Sequence, residues 1–159
     1  MISKDNRGYV MQALSEMDLD LIDMAQKAIQ LNLHDANQSK TVGAAVRCKN
    51  GEVYAGVNMN PENGTCAEEL AIGTAVAAGN TSFSEIVAVR GKDGAEIVML
   101  SVKGCRFLCD CMPDGEVIVP IEKECKKIAV KDLPLFVDKA ADKNKHRTHY
   151  DVPVCDTSG

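Results

Sequence analysis

The chain contains no tryptophan, and its three phenylalanines and three tyrosines make up only 4% of 159 residues. Any ligand pocket must therefore be built from few rings, although aromatic side chains usually carry much of the contact area of a small-molecule site. Long apolar runs are missing too. Nothing approaches the roughly 18 uninterrupted apolar residues of a membrane helix. The opening Met1-Ile2-Ser3-Lys4-Asp5 has no apolar signal core. These absences predict a soluble, cytoplasmic protein with no membrane partner. Positive charge is also short. With 18 Lys and Arg against 23 Asp and Glu, the net charge is −5, which argues against long nucleic acid as a partner and leaves a small nucleoside-like ligand open.

What is present suits one globular domain. The length fits the prior of roughly 100–200 residues per domain. Apolar residues at 45% and charged residues at 26% can build a core and exclude wholesale disorder. The unusual feature is seven cysteines, at 48, 66, 105, 109, 111, 125 and 155. An odd count without an export signal argues against a disulfide framework and leaves free thiols or metal ligands.

Along the chain, the first ten or so residues read as a polar lead-in. From Tyr9 to Asn32, Leu14, Met17, Leu21, Met24, Ala25, Ala28 and Ile29 recur at helical spacing and predict an amphipathic helix with a break near Asp18. Thr41 to Cys48 reads as a buried strand. The Asn50-Gly51 turn then leads into a second strand from Val53 to Asn58, an antiparallel hairpin. After an irregular loop, Thr65 and Glu68 have capping-box spacing for a small-residue helix that stops at Gly79. Strands are expected over 85–90 and 116–120, with 95–101 a further strand or an extension. Cys105 to Cys111 reads as a short helix before Pro113, and 126–136 closes the ordered part. Alternating strands and helices predict an α/β architecture, a three-layer α/β/α sandwich with a mixed sheet of about five strands. Residues 1–137 form the domain and 138–159 a polar C-terminal tail.

The residues that carry chemistry are Cys66-Ala67-Glu68 at one expected helix start and a cysteine cluster about forty residues on at another. A helix N-terminus favours thiolate, the metal-binding form of cysteine. Two such starts facing each other can make a metal site. A catalytic zinc keeps three protein ligands and an open position for water, whose pKa it lowers to about 7. Glu68 would stand beside that water as proton carrier.

On these residues the chain resembles the cytidine deaminase superfamily, most closely its blasticidin-S deaminase branch. The resemblance runs through Thr41-Val42-Gly43-Ala44-Ala45, Tyr54-Ala55-Gly56-Val57-Asn58, Gly64-Thr65-Cys66-Ala67-Glu68-Glu69-Leu70-Ala71-Ile72-Gly73-Thr74-Ala75 and Ile86-Val87-Ala88-Val89. It resumes at Cys105-Arg106 and Asp132-Leu133-Pro134, about two thirds of the chain in all. It implies one zinc per subunit and hydrolytic removal of the C4 amino group of a cytosine nucleoside or cytosine-containing compound, of the cytidine, deoxycytidine or blasticidin S type. By the same resemblance Cys66 is a zinc ligand and Glu68 the general acid/base. Asn58 matches the asparagine on the sugar side of the nucleoside. Asn60 stands where many cytidine deaminases have a sugar-binding glutamate, and Phe136 follows its Leu-Pro segment as a pocket residue does. Arg106 matches the arginine after the last ligand. Assembly as a homotetramer or homodimer is implied as well.

The second half of the signature departs from the family. Where the family reads Ser-Pro-Cys-Gly-x-Cys-Arg, this chain reads Ser101-Val102-Lys103-Gly104-Cys105-Arg106. Aligned on Cys105-Arg106, the first cysteine becomes Val102, or Lys103 with one residue deleted. Cys105 and Cys109, at i and i+4, could join Cys66 as the ligand set, or Cys111 could fold back. The alternative is a catalytically impaired deaminase-fold protein that binds a ligand or a partner. A redox-active thiol protein using Cys105, Cys109 and Cys111 is a third reading. His34, His146 and His149 lie outside the motif region.

Overall fold

The computed structural model describes residues 2–4, 10–31, 42–58, 66–91, 96–121 and 124–133. In chain order the elements begin with β1 (Ile2–Lys4), β2 (Val10–Gln12), α1 (Glu16–Gln30), β3 (Val42–Cys48), β4 (Val53–Val57) and α2 (Ala67–Ala77). They continue with β5 (Phe83–Arg90), β6 (Glu96–Ile97), α3 (Val102–Cys111), β7 (Glu116–Ile121), β8 (Glu124–Ala129) and a 3-10 turn (Val130–Asp132). One eight-stranded sheet runs in the order β1-β2-β8-β7-β5-β3-β4, with β6 paired to β5. The β5–β7 pair is parallel and the others are antiparallel, so the sheet is mixed as expected.

β3, β4, β5, β7 and β8 carry the sheet. β6 lies in the stretch 95–101 where a further strand or an extension is expected, and the unexpected addition is the N-terminal pair β1–β2, where a polar lead-in and the start of a helix are expected. Such short strands hold by backbone pairing and leave no alternating apolar pattern to read. The helix near the N-terminus also differs from expectation. Ser15 is its N-cap, accepting from Asp18 N, while Asp18 Oδ2 takes the Ser15 N–H at 2.8 Å. This reciprocal capping box makes Asp18 part of the N-terminal cap of α1, in its first turn, and not a break in the helix.

The two sheet faces are covered differently. On one, α1 buries Leu21, Ala25 and Ile29 against Ala45, Val87, Val89 and Ile118. On the other, α2 and α3 bury Ala71, Ile72, Ala75 and Leu108 against Val42, Ala44, Val46, Ile86, Ala88 and Val117. Alternate residues of β3 and β5 go to opposite faces, which is the period-2 geometry of a strand. Both faces being covered, all seven residues of β3 are buried.

Two glycines set how closely the helices approach. A β-carbon at Gly56 of β4 would lie 2.5 Å from the Ala71 nitrogen, and one at Gly43 of β3 would lie 2.6 Å from the Ala25 carbonyl oxygen. Only hydrogen fits at either place, so α2 and α1 sit directly on the hairpin. The hairpin turn is itself anchored to the far end of α2. Asn80 Nδ2 donates to Glu52 Oε2 at 2.9 Å, and Tyr54 Oη donates to the same oxygen at 2.8 Å. Gly51 and Gly79 have φ of +92° and +94°, as the hairpin turn and the end of α2 require. Among the described residues no helix is long and apolar enough to cross a membrane. The expected boundary at 137 and the tail 138–159 lie outside the described residues.

Candidate functional site

Cys66 is itself the N-cap of α2, in extended backbone conformation and 1% exposed. The helix therefore begins one residue later than the Thr65–Glu68 capping spacing predicts, and Thr65 lies outside the described residues. Glu68 becomes the second helical residue, and its side chain is fully buried at 0% exposure. A buried carboxyl group at this place is costly unless the surroundings are arranged for it, so its position marks the start of α2 as a built site.

The surroundings include the first turn of α3. That helix also starts at a different place from the one predicted: Ser101 is its N-cap and Val102 its first residue, three residues before the expected start at Cys105. The buried Ser101 Oγ accepts the Gly104 N–H at 3.0 Å. A β-carbon on Gly104 would lie 3.8 Å from Glu68 Oε2, so the backbone of α3 runs past the carboxyl group. A serine at the N-cap position is the sequence signal that locates this start. Cysteine spacing alone pointed one turn too far along.

Cys105 is one turn inside α3 and 4% exposed. Its thiol is pushed up to about 12, chiefly by burial, then by the neighbouring Cys109 and the Glu68 carboxylate. The helix-start effect expected to favour thiolate is outweighed here by desolvation. The Cys105 thiol is directed at the Leu100 carbonyl, with Sγ to O 3.9 Å. Half-buried Cys109 directs its thiol at the Val130 carbonyl in the 3-10 turn, at 3.7 Å, and burial raises it too. Cys111 is also raised, by burial and then by Asp110 and Glu69. Cys48 packs in the α2–α3 core and Cys125 against the α1 core.

These positions test the zinc expectation. Among the described residues no three His, Cys, Asp or Glu side chains are grouped so as to hold a metal ion. The set Cys66, Cys105 and Cys109 is therefore not assembled, because the thiols of 105 and 109 turn toward two different backbone carbonyls. In place of a third thiol, the first turn of α3 presents Lys103, whose Nζ lies 3.7 Å from Glu69 Oε1 of α2. An ammonium offers no lone pair to a metal. The described donors do not fit a three-ligand zinc.

Of the expected substrate-side residues, Asn58 is buried at the end of β4. Its Oδ1 accepts the Val42 N–H at 2.8 Å, and its own N–H donates to the Val42 carbonyl at 3.0 Å. It thus clips the end of the hairpin beside α2. Asn60 and Phe136 lie outside the described residues, as do His34, His146, His149 and Cys155. The structure brings Cys66, Glu68 and Cys105 to the α2–α3 junction and leaves Cys109 on the side of the 3-10 turn. Sequence reading missed Ser101 and the Lys103–Glu69 contact.

Comparison with known proteins bears on the family and the fold. The family model of the cytidine and deoxycytidylate deaminase zinc-binding region matches residues 15–129. A blasticidin-S deaminase from Bacillus cereus is 33% identical over 129 residues, covering 76% of this chain and 91% of that protein. The crystal structure of cytidine deaminase from Burkholderia pseudomallei superposes with a TM-score of 0.58 at 22% identity, over 72% of this chain and 94% of that one. Cytidine deaminase from Mycobacterium leprae gives 0.56 at 23% identity, over 68% and 90%. The two crystal structures bear on the fold, which is the mixed sheet flanked by helices described above.

Proposed function

Because this chain belongs to the cytidine and deoxycytidylate deaminase family, we propose that it binds a cytosine-type small molecule at the start of α2, without the zinc-hydroxide hydrolysis of a complete site. The ligand class is a cytosine nucleoside or a blasticidin S type compound. The observation that carries the reading is the fully buried Glu68 two residues after Cys66, facing the first turn of α3. A carboxyl group can accept a hydrogen bond from an amino group or, when protonated, donate one to a ring nitrogen, which matches the amino edge of cytosine. By the family resemblance, Asn58 is assigned to the sugar side and Asn60 and Phe136 to the remaining contacts of the pocket. The chain is taken to assemble as a homodimer or homotetramer, which light scattering would check.

The reason for setting hydrolysis aside is the donor set. Water free of metal has a pKa near 15.7, against about 7 on a catalytic zinc, so Glu68 alone would have little hydroxide to work with at neutral pH. A second reading has its own support. The Cys66-Ala67-Glu68 helix start and the likeness to a blasticidin-S deaminase favour a zinc-dependent hydrolytic deaminase, with Glu68 carrying the proton.

One pair of measurements separates the two. Titration calorimetry of the full chain with cytidine, deoxycytidine and blasticidin S reports binding, and ammonia release reports turnover. Binding that weakens at least tenfold in Glu68→Gln, with no ammonia, supports the proposal. Ammonia release abolished by Glu68→Gln replaces it with the second reading. No binding to any of the three compounds sinks both.

A further inference from the structure

The start of α3 determines which residues stand at the positions of the two missing ligands. Because the N-cap is Ser101, the family pattern Ser-Pro-Cys-Gly-x-Cys can be laid on α3 from that serine without a gap. Gly104 then falls on the glycine of the pattern. A β-carbon there would lie in ordinary contact with Glu68 Oε2, at 3.8 Å. The two cysteine positions fall on Lys103 and Arg106, and Cys105 lies between them. Residues three apart share a helix face, whereas residues two apart do not. Lys103 and Arg106 thus form one face, and Lys103 is the member seen against α2, 3.7 Å from Glu69. Cys105 is on the buried side, its thiol directed back at Leu100.

We propose that Lys103 and Arg106 have taken both ligand positions of the second motif, so that the α2–α3 junction is joined by the Lys103–Glu69 ion pair where relatives would place a metal. Two cations on the face that would meet a dication offer it no lone pair and repel it. Both residues are exposed, so their replacement leaves the core untouched. The proposal deepens the reading of the site given above and rests on the same family membership. It is tested by metal content, so failure of cytosine binding leaves it standing.

The experiment uses the full chain, purified without chelator, equilibrated with zinc, desalted and analysed for bound zinc by plasma mass spectrometry. The wild type should hold well below one zinc per chain. The double variant Lys103→Cys with Arg106→Cys should rise to about one, as a site completed with Cys66 requires. Its melting temperature should then fall on adding chelator, while that of the wild type stays constant. Lys103→Ser with Arg106→Ser, which removes the charges without adding thiols, should gain no zinc. Val102→Cys, which makes a three-apart pair with Cys105 instead, should gain none either. One zinc per chain in the wild type overturns the proposal. So does zinc uptake by Val102→Cys, or a folded double-cysteine variant that takes up none. If that variant does not fold, zinc affinity of the wild type by competition with a chromophoric chelator decides: binding tighter than micromolar overturns the proposal, and weaker binding supports it.

Discussion

Arg47 and Glu85 face each other across the β3–β5 pair, with Nη1 2.7 Å from Oε2, on the sheet face that α1 covers. Arg47 Nη2 also donates to the Met17 carbonyl of α1 at 2.8 Å. Beside them Lys127 Nζ lies 3.2 Å from the buried Asp18 and 4.0 Å from Glu85. The cluster ties α1, β3, β5 and β8 together. Removing one member of a largely buried pair leaves the other desolvated and uncompensated. Arg47→Met is therefore expected to lower stability by about 3 kcal/mol, read as a drop in the urea midpoint at unchanged slope. A change below about 1 kcal/mol, the range of an exposed pair, would mean that solvent screens the cluster.

Gly56→Ala tests the seating of α2. The added methyl would lie 2.5 Å from the Ala71 nitrogen and 2.8 Å from Leu70 Cβ, and the nearest atom is backbone, which cannot step aside cheaply. A destabilisation of about 2–3 kcal/mol is expected from overpacking, by thermal or denaturant melting. Because α2 carries Cys66 and Glu68, ligand affinity should fall with it. The exposed Gly73 of the same helix has open space around its Cβ position. Gly73→Ala should instead stabilise by up to about 1 kcal/mol through helix propensity.

Asn58→Ala removes the side-chain acceptor of the buried Val42 N–H, now at 2.8 Å. An unsatisfied buried amide costs about 1–3 kcal/mol, so denaturation should show a loss of that size. Amide hydrogen exchange at Val42 should accelerate more than exchange in the middle of β3. Equal acceleration along the strand would show global rather than local loosening.

Alkaline pH should weaken the fold through Cys105. Its thiol is held protonated in the folded state, pushed up to about 12 from the ordinary 9.0, chiefly by burial. A folded pKa above the unfolded one means the stabilising contribution is complete below pH 9 and is lost as pH rises through 12. Raised values at Cys48, Cys109, Cys111 and Cys125 act in the same direction. Unfolding free energy measured from pH 8 upward should fall, and Cys105→Ala should flatten that fall. In the folded protein at pH 7 the Cys105 thiol should be inert to a thiol reagent. Rapid labelling of that residue would contradict its burial.

Local signals account for much of the agreement between sequence and structure. Asn50-Gly51 marks the turn between β3 and β4, where Gly51 adopts positive φ. Gly79 ends α2, and the apolar spacing in α1 places Leu21, Ala25 and Ile29 on its buried face. The start of α3 is not marked by its three cysteines at 105–111, because the capping chemistry lies in Ser101 and Gly104. β1 and β2 were missed because three-residue strands hold through backbone pairing.

By itself the sequence determined the alternating layers, the hairpin, the helix that opens at Cys66-Ala67-Glu68 and the family, since each of these is written in residues close together along the chain. Only the tertiary structure decided where the six described cysteines and their neighbours count. It buried Glu68 against α3, turned the thiols of Cys105 and Cys109 toward separate carbonyls, and set Lys103 beside Glu69. It also brought Lys127 to Asp18, 109 residues away. Those outcomes depend on which helix face meets which neighbour. Helical rotation and sheet order settle that, and neither leaves a mark in local periodicity.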